Sequence, residues 1–553
     1  MARLGDTEFD VLIVGGGSFG AAAAWDASLR GLKVALIERT DFAAGVSANS
    51  FKIVHGGIRY LQHSDLKRLW ASCAERSALL RIAPHLVQPL PILVPTYGAG
   101  RDGKAFLGTG MLVYDALTPR RNRGIADRSR HIPLTRFMTR DEALAHFPGL
   151  PAEGLTGGAV FADGQMYNPT RLVLAFVQSA VASGAVACNY VEARQFLRRG
   201  DRVVGVRATD TRAGTEMDIR ARTVVNAAGP WARHLLEAGD MNPPSARVSY
   251  SRDTCFVIPR RFDTHYGVAL RGQTRDPDAV LSRSTRHLFV VPWRQYSLVG
   301  VWHKVTDAPA DKVSLPHAEL EQFIEEVNGA YPGLGLTPSR IRMANFGLVP
   351  FGENAPDAVD LSYGKRSPLI DHAREEHIEG LVTLIGVRYT MARGDAADAL
   401  DLVERKLGRT PRRPPTDREP LHGGAIPDFE GLVARIRGEA PDLPPAAARA
   451  LAHNHGTAYS DVLRHAAARP ELAGTLADTD VPAAAVVSAI HDEAAITLAD
   501  IVFRRTDLGT AGHPGADALG QCARIAGQAC GWSETRTGDE LARVEGRFPT
   551  FTD

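Results

Sequence analysis

Residues 9–20 read FDVLIVGGGSFG, an apolar run of strand length followed by glycines in the G-x-G-x-x-G spacing at Gly15, Gly17 and Gly20. The helix-forming AAAAWDASLRG comes next, and a second apolar run, LKVALI, ends in the acid Glu38. Strand, glycine turn, helix, strand and acid in this order are the setting in which the spacing signals a bound dinucleotide. Each part has its own physical reason. Gly15 permits the tight turn, Gly17 lets the main chain approach a pyrophosphate, and Gly20 lets helix and strand pack closely. The helix N-terminus at Ser18 offers unpaired N–H groups to phosphate, and Glu38 accepts hydrogen bonds from ribose hydroxyls. The spacing alone is weak, because glycine-rich turns also form for conformational reasons, and it does not separate FAD from NAD.

Length and composition set the frame. At 553 residues the chain exceeds one ordinary core, so two or three domains are expected. The composition, 44% hydrophobic and 23% charged, is that of a soluble globular protein, and a net charge of +1 gives no reason to expect nucleic acid. The N-terminal MARLGDTEFD lacks an apolar signal region, and no window reaches the ~18 consecutive apolar residues of a membrane span. A cytoplasmic protein is expected, with peripheral contact at the inner face of a membrane left open. The cysteines are scattered without a C-x-x-C, which indicates neither a metal site nor a disulfide framework.

Beyond Glu38, the polar stretch RTDFAAGVSANS (39–50) leads into FKIVHGGIRYL (51–61). A loop this long between ordered elements is usually functional. Ser47, Asn49 and Ser50 are placed either to hold the dinucleotide, with His55, Arg59 and Tyr60 beside its reactive ring, or to cap a surface crossover. LKRLWASCAERSALLRI (66–82) has helical periodicity stopped by Pro84, and the arginine run at 120–130 reads as a solvated loop. Asn168 and Pro169 open the helix RLVLAFVQSAVASG. TVVNAAGPW (223–231) is a buried strand entering a small-residue turn, and GLVTLIG (380–386) resumes that pattern after a strand-rich segment over 245–345.

The expected class is therefore α/β. A discontinuous Rossmann-like domain over 1–406 carries an inserted antiparallel substrate sheet, mainly at 85–160 and 245–345. Residues 407–427, rich in Pro, Gly and charge, read as a linker. Residues 428–553 read as a helical C-terminal domain that packs on the substrate domain or supports a homodimer. Its deletion is expected to change oligomeric mass or solubility before the spectrum of a bound cofactor.

The stretches at 10–45, HGGIRYL (55–61), NAAGPW (226–231), FVVPW (289–293) followed by SLVG (297–300), and EAAITLADIVFRRTDLG (493–509) with ACGWSE (529–534) resemble the FAD-dependent glycerol-3-phosphate dehydrogenases, flavoproteins of the D-amino-acid oxidase type. The resemblance covers most of the chain. It implies non-covalent FAD, oxidation of a secondary alcohol by hydride transfer to the flavin, and a second half-reaction with quinone or oxygen. The family's cofactor contacts fall on Gly15, Gly17, Gly20, Glu38, Ser47, Ser50, Ala228 and Gly229, and its pocket Arg-Tyr pair falls on Arg59 and Tyr60. Its G-G-K-x-T-T stretch is Gly386-Val387-Arg388-Tyr389-Thr390-Met391 here, with the cation kept as arginine. Its G-V-R-P-L motif reads Gly347-Leu348-Val349-Pro350-Phe351, so a pocket arginine is replaced by Val349. Its G-S-H stretch, which carries a base, matches Arg252-Asp253-Thr254, without the histidine. A further family arginine corresponds to Lys365 or Arg366.

These departures cluster in the pocket and spare the cofactor site. Charged hydrogen bonds are worth ~1.5–3 kcal/mol each, so the loss at Val349 leads us to expect a larger or less anionic polyol, sugar or hydroxy acid rather than glycerol 3-phosphate itself. Hydride abstraction needs a base for the hydroxyl proton and a cation beside the developing alkoxide. Arg59 and Arg388 are the candidate cations. His55 and His287 are the candidate bases, with His303 and Asp253 behind them. Tyr60, Thr390 and Arg366 are expected to touch substrate, and Ser18, Arg39, Gly57, Gly386 and Tyr389 to complete the cofactor site. Each histidine has a structural alternative, as each arginine has a surface ion pair. A flavin dehydrogenase for a small polyol, sugar or their phosphate is favoured. An oxidase or amine oxidase of the same fold and a non-catalytic FAD-binding protein are the alternatives.

Overall fold

The computed structural model describes residues 2–100, 103–239, 241, 248–275, 285–351, 364 and 366–552. FDVLIV forms the strand Phe9–Val14, buried at every position but Asp10. It lies parallel to Glu216–Asn226 on one side and Val34–Ile37 on the other. Leu381–Leu384 and Val186–Cys188 extend the parallel arrangement outward. Parallel strands covered on both faces need continuous apolar runs, which is why FDVLIV, VALI and LVTL read without alternation.

The helix Ser18–Leu29 is alanine-rich all round rather than amphipathic, as a helix buried on all sides must be. It packs between Pro169–Ala182 and Ala392–Lys406, and Trp25 meets Phe176 edge-on with ring centroids 5.6 Å apart. At its far end Arg30 binds Asp26, Asp401 and Glu404 at 2.5, 2.8 and 2.8 Å, clamping the first helix to Ala392–Lys406. Asn168 caps Pro169–Ala182 as its sequence suggests, accepting from the N–H groups of Thr170 and Arg171.

The inserted sheet runs in the order Met343–Phe351, Ser249–Pro259, Tyr296–Thr306, Thr285–Trp293, Gly267–Arg275, Val87–Tyr97, Leu155–Met166 and Ile53–Val54. It is antiparallel as expected, with one parallel seam between Gly267–Arg275 and Val87–Tyr97. That seam is where the two separately inserted segments meet, and no hairpin joins them. Alternation along Ser249–Pro259 sorts its side chains between two environments. Phe256 and Ile258 sink against Phe323 of the helix His317–Ala330, whereas Asp253 and Cys255 point to the opposite side, toward the dinucleotide domain.

From Phe429–Glu439 to Glu534–Glu545 the chain is helical around a core of its own. It is fastened to the dinucleotide domain by buried charge. Asp41, just past Glu38, is held by Arg504 and Arg505 at 2.5 to 2.8 Å from the π-helical turn Ile501–Arg505. Burial alone would raise the Asp41 carboxyl, but the Arg505 and Arg504 guanidiniums hold it well below the usual carboxylate range. Within 407–427, Thr416 and Leu421 are buried, and the Leu421 N–H donates to the Ile82 carbonyl at 2.9 Å.

The solvated-loop expectation for 120–130 fails at two of its arginines. Arg121 is buried against Asp115, and Arg130 is buried over the Phe429 ring, 4.2 Å from its centroid, because this segment lies under the first C-terminal helix. Among the described residues, no helix is long and apolar enough to cross a membrane.

Candidate active site

The three glycines of the turn do three different things. Gly15 has φ +109°, and a Cβ there would come within 2.6 Å of the Ala227 carbonyl oxygen. A Cβ on Gly20 would sit 1.9 Å from the Gly15 carbonyl oxygen, so its absence is what lets helix and strand meet. Gly17 is the extended N-cap of Ser18–Leu29 and supplies no side-chain cap. Beside it the Ser18 N–H donates to Ser47 Oγ at 3.0 Å. Glu38 accepts from the N–H groups of Gly16 and Thr40 at 2.7 and 3.0 Å, and burial still pushes its carboxyl above the ordinary value.

A cavity of about 2040 Å³ begins at this turn and ends against the inserted sheet. Gly15, Gly17, Ser18, Glu38 and Arg39 wall its start, followed by Ser47, Ser50 and Gly57 from the long loop. Ala228, Gly229, Gly386 and Tyr389 close the other side. Gly20 lies behind the wall and acts through packing alone. Ser50 Oγ is buried with no hydrogen-bond partner among the described residues, the condition of a polar atom awaiting a ligand.

Of the residues expected near the reacting centre, His55, Arg59, Tyr60, His287, Arg388 and Thr390 all line this cavity. The His55 N–H donates to Thr390 Oγ1 at 3.0 Å, and its Nδ1 lies 3.2 Å from Asp163 Oδ2. Asp163 also accepts from the Gly56 N–H at 2.7 Å and pairs with buried Arg76 at 3.0 Å. Burial opposes its charge, yet His55, Arg76 and the Gly56 N–H keep its carboxyl below the ordinary value. The Arg388 guanidinium stands over the Tyr60 ring, 5.1 Å from the centroid. Burial lowers Arg388 from its usual value against the opposing charge of Asp395. Arg366 corrects an expectation: it is exposed and absent from the cavity wall. Lys365 lies outside the described residues.

The facing wall is the inserted sheet. Asp253 stands opposite His303 in the strand pairing, with His303 Nδ1 2.7 Å from Asp253 Oδ1. Val349, paired with Ser251, shares this face. Removing arginine at 349 suggested an uncharged wall, but Arg286 restores a cation from the strand Thr285–Trp293. It is buried, lines the cavity, and lies 5.8 Å from the Phe351 ring centroid. Sequence reading missed it because nothing local marks which strand faces the cavity. Lys52 was missed as well. It lines the cavity at 2% exposure, its ammonium 3.4 Å from the Ser50 carbonyl oxygen and 4.8 Å from the Trp293 ring centroid. A lone lysine inside the apolar FKIV was its one signal.

The family model for FAD dependent oxidoreductases matches residues 10–392, well over half of the chain. The chain belongs to this family of FAD-dependent oxidoreductases. A second family model, the C-terminal domain of alpha-glycerophosphate oxidase, matches residues 414–537 of this flavoprotein. Glycerol-3-phosphate dehydrogenase 2 of Mycobacterium tuberculosis is 30% identical over 557 residues, 98% of this chain and 89% of that protein. The mitochondrial glycerol-3-phosphate dehydrogenase of Mus musculus is 30% identical over 563 residues, 97% of this chain and 72% of that protein. The crystal structure of the glycerol-3-phosphate dehydrogenase from Bacillus halodurans complexed with FAD superposes with a TM-score of 0.75. It covers 99% of this chain and 95% of that one at 22% identity, and so speaks for the fold.

The flavoprotein's own residues fit FAD. Gly17 leaves the main chain bare of side chain at a helix N-terminus, Glu38 stands at the end of the second strand where a ribose is held, and Ser50 Oγ lines the cavity without a partner among the described residues.

Proposed function

We propose that the enzyme oxidises a secondary alcohol of a small polyol, sugar or their phosphate, in the manner of a glycerol-3-phosphate dehydrogenase. The observation that carries this reading is the continuity of one cavity from the glycine turn to the inserted sheet, with Arg59, Arg388, Arg271 and Arg286 all in its wall. Bound flavin supplies the electron sink. The arginines neutralise an anionic substrate group and steady the alkoxide, with Tyr60 packed beside Arg388 to limit its motion. Arg286 weakens the case against a phosphate that Val349 raised on its own.

The acceptor end has its own signature. On the helix Lys104–Leu117, Phe106 and Val113 are exposed and also line the cavity, with Leu112 exposed beside them. This favours a lipophilic acceptor such as a quinone over oxygen, and suits peripheral contact with a membrane.

Anaerobic bleaching of the flavin by a panel of alcohols, with and without phosphate, tests the reading. The fastest reduction is expected from a three- to six-carbon polyol or sugar, or its phosphate, followed by reoxidation by a short-chain quinone with little peroxide. Failure of every alcohol to bleach the flavin overturns it, and rapid peroxide formation in air points to an oxidase instead.

A further inference from the structure

We propose that His303, oriented by Asp253, is the base that removes the hydroxyl proton of the substrate alcohol. The proposal rests on the functional reading above. The stretch Arg252-Asp253-Thr254 holds no histidine, but the sheet supplies one across the ladder, where Asp253 and His303 are a register pair on the cavity face. An ionised carboxylate only accepts, so Nδ1 carries the proton and donates to Asp253 Oδ1 at 2.7 Å. In the neutral ring, Nε2 is then the basic nitrogen. The two side chains are 16% and 22% exposed, within reach of a ligand in the cavity but largely shielded from bulk water.

The two histidines expected from sequence as bases, His55 and His287, are less suited. His55 has a carboxylate partner too, but it shares Asp163 with Arg76 at 3.0 Å and the Gly56 N–H at 2.7 Å. The His55 side chain is also 54% exposed. His287 is paired in register with Arg271, a cation rather than a carboxylate. Asp253 pairs with no arginine or lysine among the described residues, and its other hydrogen bond comes from Ser251 Oγ at 2.9 Å.

Val349 explains why that charge is available. It is the cross-strand partner of Ser251, one pair along the same face from Asp253, so an arginine there would engage the carboxylate. Valine leaves Asp253 to His303, which links the two departures from the family motifs. Among the described residues, the charged groups near His303 are these. Asp253 comes from its paired strand, and 347–351 contribute none. Arg286 flanks the Phe351 ring, whose centroid lies 5.7 Å from that of His303. Arg59, Arg271, Arg388 and Lys52 line the same cavity. In the step, the O–H bond breaks and its proton moves to Nε2, while the C–H bonding pair leaves as hydride to oxidised flavin. The alcohol becomes a ketone, the flavin is reduced, and the imidazolium returns its proton to solvent.

The test uses the oxidised holoenzyme and the best alcohol of the panel under anaerobic conditions. His303→Asn is expected to slow flavin reduction about 100-fold or more and to erase the acidic limb of the pH–rate profile. The Kd of 2-phosphoglycolate, a non-oxidisable anion read by flavin absorbance, should stay within about 3-fold. His55→Asn should keep the limb. Asp253→Asn should move the limb to lower pH, because the imidazolium loses its counter-charge. If His303→Asn does not hold flavin, the Asp253→Asn limb decides. Retention of the limb in His303→Asn, its loss in His55→Asn, or an unmoved limb in Asp253→Asn overturns the assignment. A wild-type enzyme bleached by no alcohol overturns the functional reading and this assignment with it.

Discussion

Lys52 shows how far a single side chain is from being readable in isolation. Its position in FKIV suggests a strand, yet its backbone is left-handed at φ +63° and its ammonium is buried in the cavity wall. Burial pushes it down from 10.5 to about 8, with Cys255 opposing and Arg294 adding to the effect. The unfolded chain therefore binds this proton more tightly. The penalty is fully present below about pH 8 and fades as pH rises toward 10.5, and the drop corresponds to about 3 kcal/mol. Lys52→Met should raise the melting temperature of the flavin-free protein at pH 7 by a few degrees while slowing flavin reduction, and an unchanged or lower melting temperature would count against this account. Arg286 teaches the same lesson with opposite sign: its neighbours in TRHLF do not mark it as a cavity residue, and only the strand's orientation does.

At the scale of elements, legibility followed locality. The glycine turn, the alanine helix and the Asn168 cap were readable because each is decided within a few residues. The π-helical turn Ile501–Arg505 was not, because its role depends on Asp41, more than four hundred residues earlier. Asp41→Asn takes the ion-pair partner from buried Arg505 and leaves Arg504 with Asp500 alone. Removing one partner of a buried ion pair typically costs about 3–5 kcal/mol. Denaturant unfolding of the variant should show a loss of that size, and flavin affinity should fall with it, because Asp41 lies just beyond Glu38. A loss below about 1 kcal/mol would mean the turn is a passive contact.

Over the whole molecule, the C-terminal helices act as a brace on the cofactor loop. Asp41, Asn168 and Arg171 are all held from beyond residue 450, Asn168 by Asp507 at 3.0 Å and Arg171 by Glu493 at 2.6 Å. Truncation at 427 is therefore expected to abolish visible flavin absorbance, against the expectation that oligomeric mass or solubility would change first. A yellow, stable fragment would refute the brace.

The same interface predicts acid sensitivity. Burial pushes His453 and His455 down to about 3, and His85, on the partner surface, is also driven well below its ordinary value. Unfolded imidazoles protonate near 6.5, so the unfolded state binds more protons between about 6.5 and 3. Stability is full above that window and falls as pH drops through it. The melting temperature should decline steeply from pH 6 to 4, and a flat profile there would exclude these histidines as the cause.

By itself the sequence determined the dinucleotide turn, the parallel apolar strands and the family, because those features are set by short-range spacing and backbone sterics. Only the tertiary structure decided the reacting end. His303 meets Asp253 across a strand pairing, Arg286 offsets the charge absent at Val349, and Arg366 is turned away. These outcomes depend on which face of which strand closes the cavity. Register and sheet order, which carry that information, arise from packing between segments that are distant in the chain.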